Sequence, residues 1–396
     1  MLLRLRRSGD HSKTRGFPPL TTRSSKTLPE AIPKTMRAFV LMGHGDLDQL
    51  HYREDWPTPT PGPGEVLLRV RACGLNNTDV NTRTAWYSKG VDEHTTGTGF
   101  DTAEDDDATW GGAPLTFPRI QGADIVGEAV AVGEGADASL LGRRVLVDTW
   151  LRDWDRPLDL DRTGYVGSEC DGGFAAFCAV DQRNLHPIAT DLSNAELATF
   201  ATSYITAENM LNRAQVTASD TVLVPGASGG VGGALIQLSK RRGATVVALC
   251  SSSKRDAVAA CGPDVILDRA PANLRQSLRD ALGQDTVSVV ADVVGGAGWS
   301  ALIDVIARGG RYTCAGAIAG PMVDFDLRTF YLRDLTFTGA TIVPPGIFAD
   351  LVGYIERGEI KPMLAASYPL RDLHAAQQAF INKQHVGNIV VTCDEA

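Results

Sequence analysis

Two hydrophobic rhythms divide this chain. From Met36 to about Pro187, short apolar runs alternate with Gly/Pro turns, and MRAFVL from Met36, EVLLRVRA (65–72), 124–132 and 144–147 predict the strands of a β-rich unit. From about Asp191 to Val343 the runs at 222–225, 245–249, 265–267, 287–291, 311–314 and 335–339 alternate with helical stretches. Six such strands predict a doubly wound parallel sheet, so the fold class is α/β with a second, β-rich domain. Beyond Pro344 the pattern predicts helices near 347–357 and 371–382 and a last strand over 388–392. There is no internal repeat, and one acidic stretch, Glu104 to Asp107, sits in a glycine-rich insertion.

The most informative segment is VLVPGASGGVG (222–232), an apolar strand running into a glycine-rich turn that opens a helix. One glycine permits the tight turn, one lets backbone approach a pyrophosphate, and one lets helix and strand pack closely. The helix N-terminus then meets an anion with free N–H groups and its dipole. Val231, Leu235 and Leu238 recur at helical spacing, Lys240, Arg241 and Arg242 complement the negative end, and Gly243 stops the helix. Gly226, Ala227, Ser228, Gly229, Gly230, Val231 and Gly232 are therefore candidate dinucleotide-binding residues. An NAD site would place a carboxylate after the second strand. Cys250 stands there instead, followed by Ser251, Ser252, Ser253, Lys254 and Arg255, whose hydroxyls and cations suit a 2′-phosphate and so NADPH. Serine capping of a solvated helix start is the plainer reading, and the two are compatible.

Length changes the picture only in requiring more than one core: 396 residues, 43% hydrophobic and 21% charged, fit a two-domain soluble enzyme. A net charge of −9 argues against nucleic acid as a partner, and no apolar run reaches transmembrane length. The first 35 residues carry eight Lys or Arg against Asp10 and Glu30, a net +6 that leaves −15 for the rest. With Pro18, Pro19, Pro29 and Pro33, this stretch reads as a disordered tail, or as sequence upstream of a start at Met36, rather than a transit peptide. Seven scattered cysteines without a CxxC pair read as reduced structural thiols of a cytoplasmic protein.

Nearly everything after Met36 resembles the medium-chain dehydrogenase/reductase superfamily, in its zinc-free quinone oxidoreductase-like branch. The matching segments, in order, are ACGLNNTD (72–79), PRIQGADIVGEAVAVG (118–133), GRRVLV (142–147), DGGFAAFCAV (171–180), TSYITAENML (202–211), PGASGGVGGALIQLSK (225–240), DVVGG (292–296) and GGRYTCAGA (309–317). The resemblance implies a GroES-like catalytic domain built from 36–188 and 344–396, closing over a Rossmann domain of 189–343. It also implies a homodimer joined near Leu335 to Thr341, where a sheet edge would otherwise be bare.

Zinc-dependent relatives need three ligands and an open fourth position. The corresponding positions here are Asn76, Ala123 and Thr202, and between Asp148 and Gly173 only Cys170 remains of a four-cysteine lobe, so no catalytic zinc is expected. The resemblance instead implies Asn76 and Tyr87 around the substrate, with Thr78 where alcohol dehydrogenases keep a relay hydroxyl. A second family tyrosine is Asn81. Tyr87 reads equally as proton donor or pocket wall, while Asp79 and Arg83 read as a structural helix-start pair. Thr206, Val294, Gly316 and Ala317 match positions facing the nicotinamide, and Arg269 would add a cation near the 2′-phosphate or else be an exposed loop residue. Asn388 replaces a common Lys or Arg and is given no role.

Two further features, the insertion Ser88 to Phe117 with His94, Trp110 and Phe117, and the stretch WLRDW (150–154) leading to Tyr165, bear on substrate choice. Their aromatics imply a partly apolar substrate. The expectation is an NADPH-dependent, zinc-independent oxidoreductase acting on an enone, enal or quinone. Alternatives are an NADP-dependent alcohol/aldehyde oxidoreductase and a non-catalytic NADPH-binding regulatory protein.

Overall fold

The structure is a computed structural model that describes residues 31–95, 109, 111, 114–157 and 159–393. The basic stretch up to residue 30, the acidic run 104–107 and Trp110 lie outside the described residues. Its strands are β1 (Thr35–Leu41), β2 (Leu50–Pro57), β3 (Glu65–Gly74), β4 (Asp124–Val132), β5 (Arg144–Val147), β6 (Trp150–Arg152), β7 (Thr163–Tyr165), β8 (Phe177–Asp181) and β9 (Leu185–Pro187). There follow β10 (Thr221–Val224), β11 (Thr245–Cys250), β12 (Val265–Asp268), β13 (Val287–Asp292), β14 (Ile306–Cys314), β15 (Thr336–Gly339), β16 (Leu364–Pro369) and β17 (Asn388–Thr392).

The second half forms a six-stranded sheet ordered β12-β11-β10-β13-β14-β15, every neighbouring pair parallel. Alternation along each strand explains why both faces are covered. Val222, Val224, Val246 and Ala248 enter one core, while Leu223, Val247, Leu249 and Val290 enter a second beneath the opposite face. The order reverses between β10 and β13, and ligands of such sheets bind outside the carboxyl ends of the strands at that point. The glycine-rich turn follows β10 there, opening the helix Gly230–Arg241.

The other sheet is ordered β16-β17-β3-β4-β5-β9, with β8 paired to β3. Strands from the chain's end thus lie beside strands from its beginning, β17 running antiparallel to β3. The two halves meet at the glycine turn, where the Gly387 N–H donates to the Ser228 carbonyl at 2.9 Å.

The helix Asn77–Arg83 follows β3, with candidate catalytic residues at its N-cap (Asn76), in its first turn (Thr78) and just beyond its end (Tyr87). The Asp79 carboxylate accepts the Asn76 N–H at 2.7 Å, so it caps the helix. Arg83 does not pair with it. Its buried guanidinium donates to the Gly45 carbonyl at 2.7 Å and to Gln377 at 3.2 Å, tying the helix to the C-terminal segment instead.

Candidate active site

A cavity of about 990 Å3 runs from the glycine turn to the helix Asn77–Arg83. Its size lies at the upper end of the range for small-molecule and cofactor clefts. One end is lined by Gly226, Ser228, Gly229, Gly230, Val231 and Gly232. Gly226 sits at φ +65°, and a Cβ on Gly232 would lie 2.2 Å from the Gly226 carbonyl, so the helix start is pressed against the turn. Gly229 occupies the N-cap without a side-chain cap bond, which leaves the first N–H groups of a 12-residue helix to an outside acceptor.

Next along the wall are Ser251, Ser253, Lys254 and Arg269. Ser251 stands at an N-cap position without a cap bond to the backbone, and its hydroxyl meets that of Ser253 at 3.3 Å. The Lys254 ammonium donates to the Lys383 carbonyl at 2.6 Å and the His385 carbonyl at 3.0 Å. Lys383 in turn donates to the Asn77 side chain at 2.8 Å and lies 3.6 Å over the Phe380 ring. Burial, then repulsion from Lys254, lowers the Lys383 ammonium to about 7. Burial, then Lys383 and Lys254, brings His385 down to about 4. No Asp or Glu is among the residues lining this cavity, so three cationic side chains share its wall without a carboxylate. That composition fits a nucleotide carrying a 2′-phosphate as well as a pyrophosphate.

Three of the expected cofactor residues are not in the wall. The Ala227 side chain is buried in the core beneath the turn, and the short 3-10 turn over Ser252–Lys254 leaves Ser252 and the following Arg255 exposed outside the cavity. Thr206, Val294, Gly316 and Ala317 do line it. The loop carrying Val294 is held by buried Asp292, which accepts the Val294 N–H at 2.7 Å and the Tyr312 hydroxyl at 2.9 Å.

At the far end Asn76, Thr78, Asn81 and Tyr87 face the same space. Burial raises the Tyr87 phenol above its ordinary value, against the lowering effect of hydrogen bonds from Thr78 and Asn81. His94 and Thr95, from the stem of the insertion, also line the cavity, and the Thr95 N–H reaches the Ile318 carbonyl at 3.1 Å. Phe117 instead packs edge-on against His44, with ring centres 4.9 Å apart. In WLRDW, Trp150 lines the cavity, whereas Trp154 lies beside the Arg152 and Arg183 guanidiniums.

Thr202, at one of the expected zinc positions, belongs to a hydrogen-bonded set with Asp124 and Tyr165. Asp124 is fully buried, and its Oδ1 accepts both the N–H of Thr202, at 2.9 Å, and the Thr202 hydroxyl. The same hydroxyl meets the Tyr165 hydroxyl at 2.6 Å. Burial raises Asp124 to about 6, against the lowering contributions of Thr202 and Asn76. Asp79 is raised to about 8, again chiefly by burial. Among the described residues no group of three His, Cys, Asp or Glu could hold a metal ion, and Asn76, Ala123 and Thr202 do not make a zinc donor set. None of the seven cysteines forms a disulfide among the described residues. Among the described residues, no helix is long and apolar enough to cross a membrane.

Pattern reasoning missed the contribution of the C-terminal segment, Phe380, Ile381, Lys383, Gln384, His385 and Gly387, all in the cavity wall. The available signal was its lysine and histidine, Lys383 and His385, in an otherwise unassigned loop.

The comparisons with known proteins agree with this architecture. Residues 62–190 match the model of the alcohol dehydrogenase GroES-like domain, and 230–357 match that of the zinc-binding dehydrogenase. A crystal structure of a candidate alcohol dehydrogenase from Sinorhizobium meliloti 1021 superimposes with a TM-score of 0.83 at 43% identity, covering 92% of this chain and 98% of that one. Rattus norvegicus quinone oxidoreductase is 24% identical over 357 residues, 88% of this chain and 95% of its own length. Acryloyl-coenzyme A reductase of Metallosphaera sedula is 24% identical over 369 residues, 90% of this chain and all of its own. The chain belongs to the medium-chain dehydrogenase/reductase superfamily, in its quinone oxidoreductase-like part. Its homologues are oxidoreductases.

Proposed function

We propose that this protein is an NADPH-dependent, zinc-independent reductase of activated C=C or C=O bonds in partly apolar enones, enals or quinones. The observation that carries the reading is one continuous cavity. It has a glycine-turn helix start and cationic side chains without a carboxylate at one end, and Asn76, Thr78 and Tyr87 at the other. Gly226 to Gly232 would hold the pyrophosphate, Ser251, Ser253, Lys254 and Arg269 the 2′-phosphate, and Thr206, Val294, Gly316 and Ala317 the nicotinamide. The cofactor, when bound, supplies hydride.

The chain's own task is then to orient the acceptor and stabilise the charge that develops on its oxygen. Asn76 suits this. Its Nδ2 is buried and makes no hydrogen bond among the described residues, although the Asp124 carboxylate lies nearby. A substrate oxygen would satisfy that donor, whose unpaired burial costs about 1–3 kcal/mol. The enzyme acts on a small molecule in the cytoplasm, as a homodimer, with neither nucleic acid nor membrane as partner.

The purified protein should oxidise NADPH in the presence of a panel of enones, enals and quinones, retain that activity after chelation, and show no stoichiometric zinc by elemental analysis. Stoichiometric zinc with loss of turnover on chelation would reject the metal-free reading. Tight NADPH binding without oxidation by any acceptor would favour the regulatory alternative. The similarity to the S. meliloti protein favours including aldehydes, and alcohols with NADP+, in the same panel.

A further inference from the structure

We propose that Tyr165 is the proton-donating hydroxyl of the cavity, fed through Thr202 by the buried carboxyl of Asp124. This rests on the reductase reading above. Tyr165 and Thr202 both line the cavity, while Asp124 lies behind them. The links are the 2.6 Å contact between the two hydroxyls, the hydrogen bond from the Thr202 hydroxyl to Asp124, and the 2.9 Å bond from the Thr202 N–H that fixes the carboxyl. Trp150 packs edge-on against Tyr165 at 5.1 Å and restricts the ring.

The proton count makes this chain directional. Thr202 has one hydroxyl proton. When Asp124 is ionised, that proton goes to the carboxylate, and Tyr165 must give its own proton to Thr202. When Asp124 is protonated every link reverses: Asp124 donates to Thr202, Thr202 to Tyr165, and the Tyr165 proton turns away from Thr202, toward its other neighbour Thr149 or an acceptor in the cavity. Tyr87 lacks such a supply, because its hydrogen-bonding neighbours Thr78 and Asn81 carry no acidic proton.

Reduction then balances as follows. Hydride from the nicotinamide adds to the substrate carbon, and the displaced π electrons collect on the carbonyl oxygen. The Tyr165 O–H bond breaks as a new O–H bond forms on that oxygen. Tyr165 recovers a proton from Thr202, and Thr202 recovers one from Asp124, which ends as a carboxylate and is reprotonated from solvent. The substrate gains two electrons and one proton with the hydride, and the nicotinamide is oxidised. Oxidation of an alcohol runs the same chain backwards and needs Asp124 ionised.

Other observations are consistent with a protonatable Asp124. Its Oδ2 is buried with only the Asn76 amide nearby, outside hydrogen-bond geometry, and burial lifts the group to about 6 against the lowering effect of Thr202 and Asn76. The titratable groups that interact with it are Asp79, raised to about 8, and the Cys73 thiol and Tyr165 phenol, both pushed up chiefly by burial. All three are neutral where Asp124 begins to ionise, so none supplies a charge that would hold it protonated.

The test uses the full-length protein and Y165F, T202V, D124N and Y87F, with NADPH affinity measured by nucleotide fluorescence to show that each variant folds. Y165F should lower kcat for reduction by about 10²- to 10⁴-fold with the NADPH Kd unchanged, the range expected for a positioned acid. T202V should lower kcat too, and the Y165F/T202V double variant should be no worse than Y165F, because one chain is cut once. Wild-type reductive kcat/KM should fall as pH rises through the Asp124 transition, oxidation should rise, and D124N should lose both limbs. Infrared difference spectra between about pH 5 and about pH 8 give a readout independent of turnover: a protonated carboxyl band, absent in D124N and shifted in T202V. An active wild type whose Y165F keeps full kcat while Y87F loses it would overturn the relay and leave the reductase reading standing. A carboxyl band present but insensitive to T202V would overturn the relay even if no acceptor oxidised NADPH, whereas that lack of oxidation alone would count against the reductase reading.

Discussion

At the scale of single residues, the cationic end of the cavity carries the proposed preference for NADPH. Lys254 and Arg269 face it without a carboxylate in the wall, and a charge-assisted hydrogen bond to phosphate contributes about 1.5–3 kcal/mol. Removing either cation, as K254A or R269A, should weaken NADPH by roughly 10- to 100-fold while leaving NADH nearly unchanged, read as Kd for both nucleotides. Equal losses for both nucleotides would place these side chains away from the 2′-phosphate. Lys383 adds a pH dependence whose sign follows from its lowered value of about 7. A bound phosphate favours the ammonium form, so NADPH binding takes up a proton and affinity should fall as pH rises through about 7, a trend absent in K383M. Residue-level chemistry was legible where a side chain stands in a motif: Asn76, Ala123 and Thr202 are readable as positions without zinc ligands. The partners of Thr202 were not, because Tyr165 and Asp124 lie 37 and 78 positions away in the chain and only the fold brings them together.

At the scale of elements, the turn after β10 separates two demands that glycine meets. A Cβ at Gly232 would lie 2.2 Å from the Gly226 carbonyl, a backbone atom that cannot step aside, whereas a Cβ at Gly229 would meet nothing closer than 3.6 Å. G232A should therefore cost about 1–3 kcal/mol of stability and weaken nucleotide binding. G229A should melt with the wild type yet bind NADPH poorly, because its methyl projects into the space the pyrophosphate needs. Thermal melts with and without nucleotide distinguish them, and undiminished binding by G229A would move the pyrophosphate elsewhere. Strand and helix periods made most of these elements readable, since β10 and β11 alternate cleanly between two cores. The Asp79–Arg83 pairing was misread for the opposite reason. Helical spacing brings the two within reach, but Arg83 is drawn away by acceptors at Gly45 and Gln377 that are remote in sequence.

At the scale of the whole molecule, the parallel sheet ends at β15, whose outer edge is paired with no other strand of this chain among the described residues. Such an edge invites pairing with another chain unless it is covered. The segment leading into it is unusually apolar for a surface: Met322, Leu327, Tyr331 and Leu332 are 72%, 66%, 60% and 56% exposed. Apolar residues gathered in one stretch beside a bare edge mark an interaction site, and two-fold pairing of identical edges closes it without leaving a further edge. We therefore expect a homodimer through β15 and the helix Leu327–Leu332. Light scattering at micromolar concentration should give twice the 42.2 kDa chain mass. L327D/Y331D should give a single chain mass with NADPH affinity retained, because neither residue lines the cavity. A wild-type monomer, or a double variant that stays dimeric, would remove this edge as the interface. Retained affinity in the separated chains would further mean that the nucleotide site is complete within one chain.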